Sequence, residues 1–184
     1  MSYYHTLPMS FQNILLLGEG DLTYSYSFCR GILHHNLIET NHDLKNCNIF
    51  ISCFDSEDSI LTKYPSTAPT AIKNLNALRS PPTTSSSSSS SSSKKNELFF
   101  VNINYKINAT RPILEQLYTE SSETTTIPLH FNHVIFNFPH LGKEDSLAHN
   151  CFLAHLLHEM KASLHKEDGK IYLSLAGIRS RYNI

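Results

Sequence analysis

Residues 13–27 read NILLLGEGDLTYSYS, and this stretch decides the fold. Ile14 to Leu17 form a short, wholly apolar run closed by Gly18, the pattern of a strand buried on both faces of a parallel sheet. Gly18 and Gly20 suit a tight turn that a ligand can approach closely, and Asp21 or Thr23 can cap a following helix. Strand, glycine turn and helix N-terminus together make a candidate nucleotide-cofactor site, because the free N–H groups and positive dipole end of a helix attract carboxylate or phosphate. A dinucleotide loop of the form G-x-G-x-x-G needs a third glycine, and Thr23 occupies that place. Glu19 inside the turn would repel phosphates but could hold an ammonium group. Both features favour a cofactor without a pyrophosphate, such as S-adenosyl-L-methionine, over NAD.

Working outward, the chain alternates strand and helix patterns. A helix is expected from Leu22 to about Leu33, then a polar connection from His34, and a second buried strand from Asn48 that ends at Asp55. An acid in that position either binds ribose hydroxyls or caps the next helix. Pro65 and Pro69 divide the following segment into a short helix near Ser56 to Lys63 and another carrying Ala71, Ile72, Leu75 and Leu78 at helical spacing. Residues 79–97 include Pro81, Pro82 and nine consecutive serines from Ser85 to Ser93. Such a tract buries nothing and is expected to be a disordered insertion. Leu98 to Ile103 reads as a third strand, followed by a helix capped at Thr110 and running to about Tyr118. His133 to Asn137 reads as a fourth strand, and a helix opened by Asp145 or Ser146 continues to about Leu164. Its apolar face is expected to comprise Leu147, Cys151, Ala154, Leu157, Met160 and Leu164, ahead of a fifth strand at Lys170 to Leu175.

This alternation predicts one α/β domain over 1–184 with a doubly wound, mostly parallel Rossmann-like sheet. Gly18, Gly20, Asp55, Asn108 and Asn137 all fall at carboxyl ends of strands, where open α/β sheets bind ligands. The 184 residues and 40% hydrophobic content suffice for a core. Fifteen basic and sixteen acidic residues leave a net charge of −1, so contact with RNA has to be local rather than driven by overall charge. The four cysteines lack metal-site or disulfide-scaffold spacing. No membrane span or signal peptide is recognisable, which predicts a soluble intracellular protein. His155 and His158 sit one helical turn apart, but no third ligand completes a compact set, so no metal is expected.

With GEGDLTYS at 18–25, FDS at 54–56, KYP at 63–65, INAT at 107–110 and FNFPHLG at 136–142, the chain resembles the 25S ribosomal RNA uridine-N3-methyltransferases over residues 13–182. The resemblance implies a class I, S-adenosyl-L-methionine-dependent fold acting on large-subunit ribosomal RNA or the pre-ribosome, in the nucleolus or nucleus. It places Gly18, Glu19, Gly20 and Asp21 against the methionine part of the cofactor, Asp55 on the ribose and Asn108 near the adenine. Asn137, Phe138, Pro139 and His140 fall at the target base. The family often has aspartate at the position of Asn108, and the class carries two strands after the fifth, so the domain is expected to be incomplete at its C-terminus. Uridine N3 carries a proton that must leave, and Asn137, the Phe138 carbonyl and His140 are the groups near it. His140 is either the base or a loop histidine bonding backbone. A non-catalytic Rossmann-like nucleotide- or RNA-binding protein is the alternative from another class.

Overall fold

The computed structural model describes residues 12–38, 47–79, 99–120, 130–139 and 145–175. The serine tract and His140 lie outside the described residues. Within them strands and helices alternate except where two helices follow β2: β1 (Gln12–Leu17), α1 (Thr23–Ile38), β2 (Cys47–Ser52), α2 (Glu57–Lys63), α3 (Ala68–Arg79), β3 (Phe99–Asn104), α4 (Ile113–Glu120), β4 (His133–Asn137), α5 (Ser146–Ala162) and β5 (Lys170–Ser174). All strand pairs are parallel and the sheet order is β3-β2-β1-β4-β5.

The order follows from the handedness of the crossovers. Two successive right-handed units carry the chain from β1 through β2 to β3, so α1, α2 and α3 share one face of the sheet. The next crossover returns past β1 to β4 and puts α4 and α5 on the opposite face. Side-chain alternation supports both layers. Ile14 and Leu16 join Ile49, Ile51, Cys29, Ile60 and Leu75 in one apolar cluster. Leu15 and Leu17 join Phe50, Val134, Leu117, Leu156 and Met160 in the other. Leu15, Leu16 and Leu17 are completely buried, as a strand with helices on both sides requires.

Several local outcomes differ from the sequence reading, each for a physical reason. Helix α1 runs on to Ile38 instead of ending near Leu33, because nothing between them breaks the backbone ladder. Ser56, not Asp55, caps α2, its hydroxyl accepting the Ser59 N–H at 3.3 Å. Thr110 does not cap α4: its N–H and hydroxyl turn back to Asn108 Oδ1, and the Gln116 side chain bonds both the N–H and the carbonyl of Asn108. The expected face of α5 is also rotated. Leu147 is 75% exposed and Cys151, Ala154 and Leu157 are exposed, while Leu156 and Met160 are buried with Phe152 and Leu153 packed beside them. Both stripes share Met160 and Leu164, and the stripe containing the bulky Phe152 is the one that fills the gap over β4 and β5.

The amino ends of the strands are joined by amides. Asn13 N–H donates to Asn132 Oδ1 at 2.9 Å, Asn48 Nδ2 donates to Asn13 Oδ1 at 2.9 Å, and Asn132 Nδ2 donates to Asp168. The rotated α5 face gives a direct check: Leu156→Ala should cost about 2–5 kcal/mol of unfolding free energy in denaturant titration, and Leu157→Ala under about 1 kcal/mol. The reverse ranking would restore the face expected from periodicity.

Candidate functional site

The site is built from the loops that follow each strand. Across the carboxyl edge they present, in order, Asn108 after β3, Asp55 after β2, Gly18 to Asp21 after β1, Asn137 at the end of β4 and Ser174 at the end of β5. The order in which strands are added to the sheet reverses between β1 and β4, and the register Leu17↔Phe136 makes Gly18 and Asn137 neighbours there. A crevice at this switch point is the usual ligand position in such sheets.

Gly18 has φ of 67°, and a Cβ on it would lie 2.1 Å from Phe136 Cε2, so only glycine fits. The Glu19 N–H then donates to Ser52 O at 3.0 Å, tying the turn to β2. Gly20 is exposed, with the Tyr64 hydroxyl 3.4 Å from where its Cβ would be. Leu22, also at positive φ, plugs the core beneath.

Both acids of the turn serve the N-terminus of α1. Asp21 Oδ1 accepts the N–H of Thr23 at 3.1 Å and its hydroxyl at 2.7 Å, and Glu19 Oε2 accepts the Ser25 N–H at 3.2 Å. Burial alone would push the Asp21 carboxyl up, but hydrogen bonds from Thr23 and Thr67 hold it below the ordinary value. Glu19 is 8% exposed and points inward; desolvation, aided by the charge of Asp21, raises it against the hydrogen bonds from Ser25. Two helix-terminal donors are thus already taken by carboxylates. Such a loop disfavours phosphate and suits a ligand carrying positive charge.

Burial and then the charge of Glu19 push the Cys29 thiol up to about 12, and the same two causes raise Cys53, so neither is a nucleophile. Asp55 Oδ2 pairs with Lys63 Nζ at 2.7 Å beside Phe54, which is 67% exposed. With Ser56 capping α2, the Asp55 carboxylate is left to this pairing. Asn108 Oδ1 is committed to Thr110, so an adenine beside it would meet the amide nitrogen rather than the oxygen.

At the far side of the switch point, Phe138 holds φ of 54° and exposes 62% of its surface. An aromatic residue held in the left-handed region and left in solvent is costly without a ligand to meet it. Its N–H donates to Ser174 O at 2.8 Å, the Ser174 hydroxyl donates to Asn137 Oδ1 at 2.9 Å, and Asn137 Nδ2 is buried with no partner. Pro139 is buried behind this turn. Among the described residues no group of three side chains could hold a metal ion, and no helix is long and apolar enough to cross a membrane.

Sequence reasoning left Lys63, Tyr64 and Ser174 out of the site. The first two lie in the KYP motif, which was the available signal. Ser174 had none, because its place opposite Asn137 arises only from the β4–β5 register.

The carboxylate beside Ser25 makes a pH prediction. A raised folded-state carboxyl favours folding when protonated, so ionisation of Glu19 subtracts stability as pH climbs from the ordinary value of 4.5 towards its folded value. Glu19→Gln keeps an acceptor for the Ser25 N–H without the charge. Its Tm should match that of the wild type near pH 4 and exceed it at pH 7; a gap independent of pH would refute the buried-charge account.

A family model described as rRNA (uridine-N3-)-methyltransferase BTM5-like matches residues 15–183. Neither the curated proteins nor the solved structures gave a match. The family match covers nearly the whole chain, and the chain belongs to that family.

Proposed function

We propose that this member of the rRNA uridine-N3-methyltransferase family transfers a methyl group from S-adenosyl-L-methionine to N3 of a uridine in large-subunit ribosomal RNA, within the nucleolus. The observation that carries this reading is the Asn137–Phe138 turn beside the acid-lined Gly18–Asp21 loop at the switch point. A flat exposed ring faces solvent on one side of the crevice, and a loop suited to positive charge lies on the other.

The chain's residues fit the cofactor in kind. Gly18 and Gly20 let the backbone approach its methionine part, Asp21 offers an ionised carboxylate to its ammonium, and Glu19 braces the loop from beneath through its bond from the Ser25 N–H. Asp55 takes the ribose hydroxyls, sharing its carboxylate with Lys63, and Asn108 lies towards the adenine with its amide nitrogen. When bound, the cofactor supplies an electrophilic methyl on sulfur. The protein's task is then alignment, because in-line displacement demands little covalent chemistry of its own groups. Phe138 stacks on an extruded uracil, Pro139 stiffens the turn beneath it, and His140 takes the N3 proton.

Two experiments test this. Gly20→Val, which crowds the Tyr64 hydroxyl, and Asp55→Ala should each weaken S-adenosyl-L-methionine binding in calorimetry, and unchanged affinity in both would remove the cofactor assignment. Separately, labelled cofactor and large-subunit ribosomal RNA should yield a methylated uridine by mass spectrometry. In that assay Asn137→Ala should lower turnover by about 10²-fold with cofactor binding intact. Phe138→Ala should weaken RNA binding by about 1–3 kcal/mol. Methyl on another base would replace the substrate, and cofactor binding without transfer would favour a non-catalytic binding protein.

A further inference from the structure

Helices α1, α2 and α3 cover only part of their side of the sheet. Among the described residues, the apolar cluster on that side draws on β1, β2 and β3, takes Ile135 from β4 and takes nothing from β5. The other side is more complete, since Val134, Phe136, Ile171 and Leu173 all join the cluster beneath α4 and α5. Side-chain alternation and the pairing of β4 with β5 therefore leave one open strip, made by His133, Ile135 and Asn137 of β4 and Lys170, Tyr172 and Ser174 of β5. The three β5 residues are exposed, Tyr172 by 47%, and the three β4 residues are half-buried. Parallel strands are ordinarily covered on both faces, so this pair is short of a cover.

The chemistry of the strip narrows what can lie on it. A polypeptide cover wants contiguous apolar surface, whereas here Ile135 is surrounded by polar and charged neighbours. Single-stranded RNA is bound on sheet faces by aromatic rings that stack its bases and by cations that meet its phosphates. Tyr172 lies against His133, their ring centroids 5.8 Å apart and inclined at 45°, and the exposed Lys170 is next to Tyr172 on the same face. Asp168, which would repel a phosphate, is engaged by His165 and by Asn132 Nδ2. At the two ends of β4, His133 Nδ1 and one end of the Asn137 amide are buried without a partner among the described residues.

Position adds a second argument. Asn137 and Ser174 close the carboxyl end of the strip, and Phe138 follows Asn137 into the turn assigned above to the target base. Tyr172 stands two residues before Ser174, about 7 Å along the strand, a step that one nucleotide spans. An RNA strand whose uridine enters the turn can lay its next base over the Tyr172 ring.

We propose that the open β4–β5 face carries the single-stranded RNA adjoining the target uridine, with the Tyr172 ring stacking a neighbouring base and the Lys170 ammonium meeting a phosphate. The proposal rests on the uridine reading given above and adds to it a second contact surface, outside the crevice. It also gives a chain of net charge −1 a local means of holding RNA.

The test uses the full chain and a fluorescein-labelled single-stranded oligouridylate, with affinity read by fluorescence polarisation over a range of salt concentrations. Tm, calorimetry with S-adenosyl-L-methionine and methyl transfer to large-subunit ribosomal RNA are measured alongside. Tyr172→Ala should weaken RNA binding by about 5- to 150-fold, the range spanned by loss of one stacked base, and Tyr172→Phe should stay within about threefold of wild type. Lys170→Gln should flatten the slope of log affinity against log salt by about 0.7, the contribution of one phosphate contact on a single strand. Both Tyr172→Ala and Lys170→Gln should keep wild-type cofactor affinity and a Tm close to that of the wild type. Should Tyr172→Ala not fold, Tyr172→Leu, which keeps bulk without a π-face, decides by the same criteria. Full RNA affinity and an unchanged salt slope in the variants, with uridine still methylated by the wild type, would overturn the proposal and leave the methyltransferase reading standing. A large fall in Tm for Tyr172→Ala with RNA affinity unchanged would overturn it too, giving the strip to a polypeptide cover. A wild-type chain that neither binds the oligouridylate nor methylates uridine would overturn the proposal and the reading together.

Discussion

A methyl group cannot be placed on Gly18, because the ring of Phe136 already fills the space. This contact joins the end of β1 to the end of β4, the two parallel strands between which the order of strand addition reverses. The turn must therefore leave β1 through a left-handed residue, and Glu19 is delivered to the Ser52 carbonyl on the neighbouring strand. From there the geometry propagates: Asp21 meets the first turn of α1, Gly20 faces Tyr64, and Asn137 follows Phe136 directly onto the rim of the same crevice. The apolar sheet supplies stability on both faces, but this one steric exclusion sets where its loops converge.

The acids of the glycine turn give the site its electrical character. A helix N-terminus ordinarily welcomes anions, yet here Asp21 and Glu19 have taken donors of the first turn. The cost is a buried carboxylate that resists ionisation, offset by its bond to Ser25. What results is a mouth suited to a cation, built from parts that in other loops hold phosphate.

Much of this was legible in the sequence because apolar runs and glycine turns act locally. Ile14 to Leu17, His133 to Asn137 and the acid after β2 could be placed from burial pattern alone, and with them the parallel sheet and the carboxyl-edge residues. The misreadings have a common origin in competition between near-equal local choices. On α5 two apolar stripes share Met160 and Leu164, and packing over β4 chose the one with Phe152. At Asn108 the position at a strand end was legible but the orientation of the amide was not, because it depends on Thr110 taking the oxygen. Inward-facing Glu19 could not be told from outward-facing Glu19, since either suits a turn. Ser174 required knowledge of strand register, which only the assembled sheet supplies.

The central position of β1 has a consequence for how the protein is made. One edge of β1 pairs with β2, a short distance along the chain, whereas the other waits for β4; the bond from Asn13 to Asn132 spans 119 residues. On a ribosome adding roughly 5–20 residues per second, β1 passes about 6–24 s with one backbone edge and its leucines unpartnered after it is synthesised. The unit from β1 to β3 can begin to form in that interval, but the crevice cannot, because its second wall has not been translated. Nascent chains should thus depend on shielding of β1 by chaperones until β4 emerges, and the late closure of this long-range pairing should set the pace of folding.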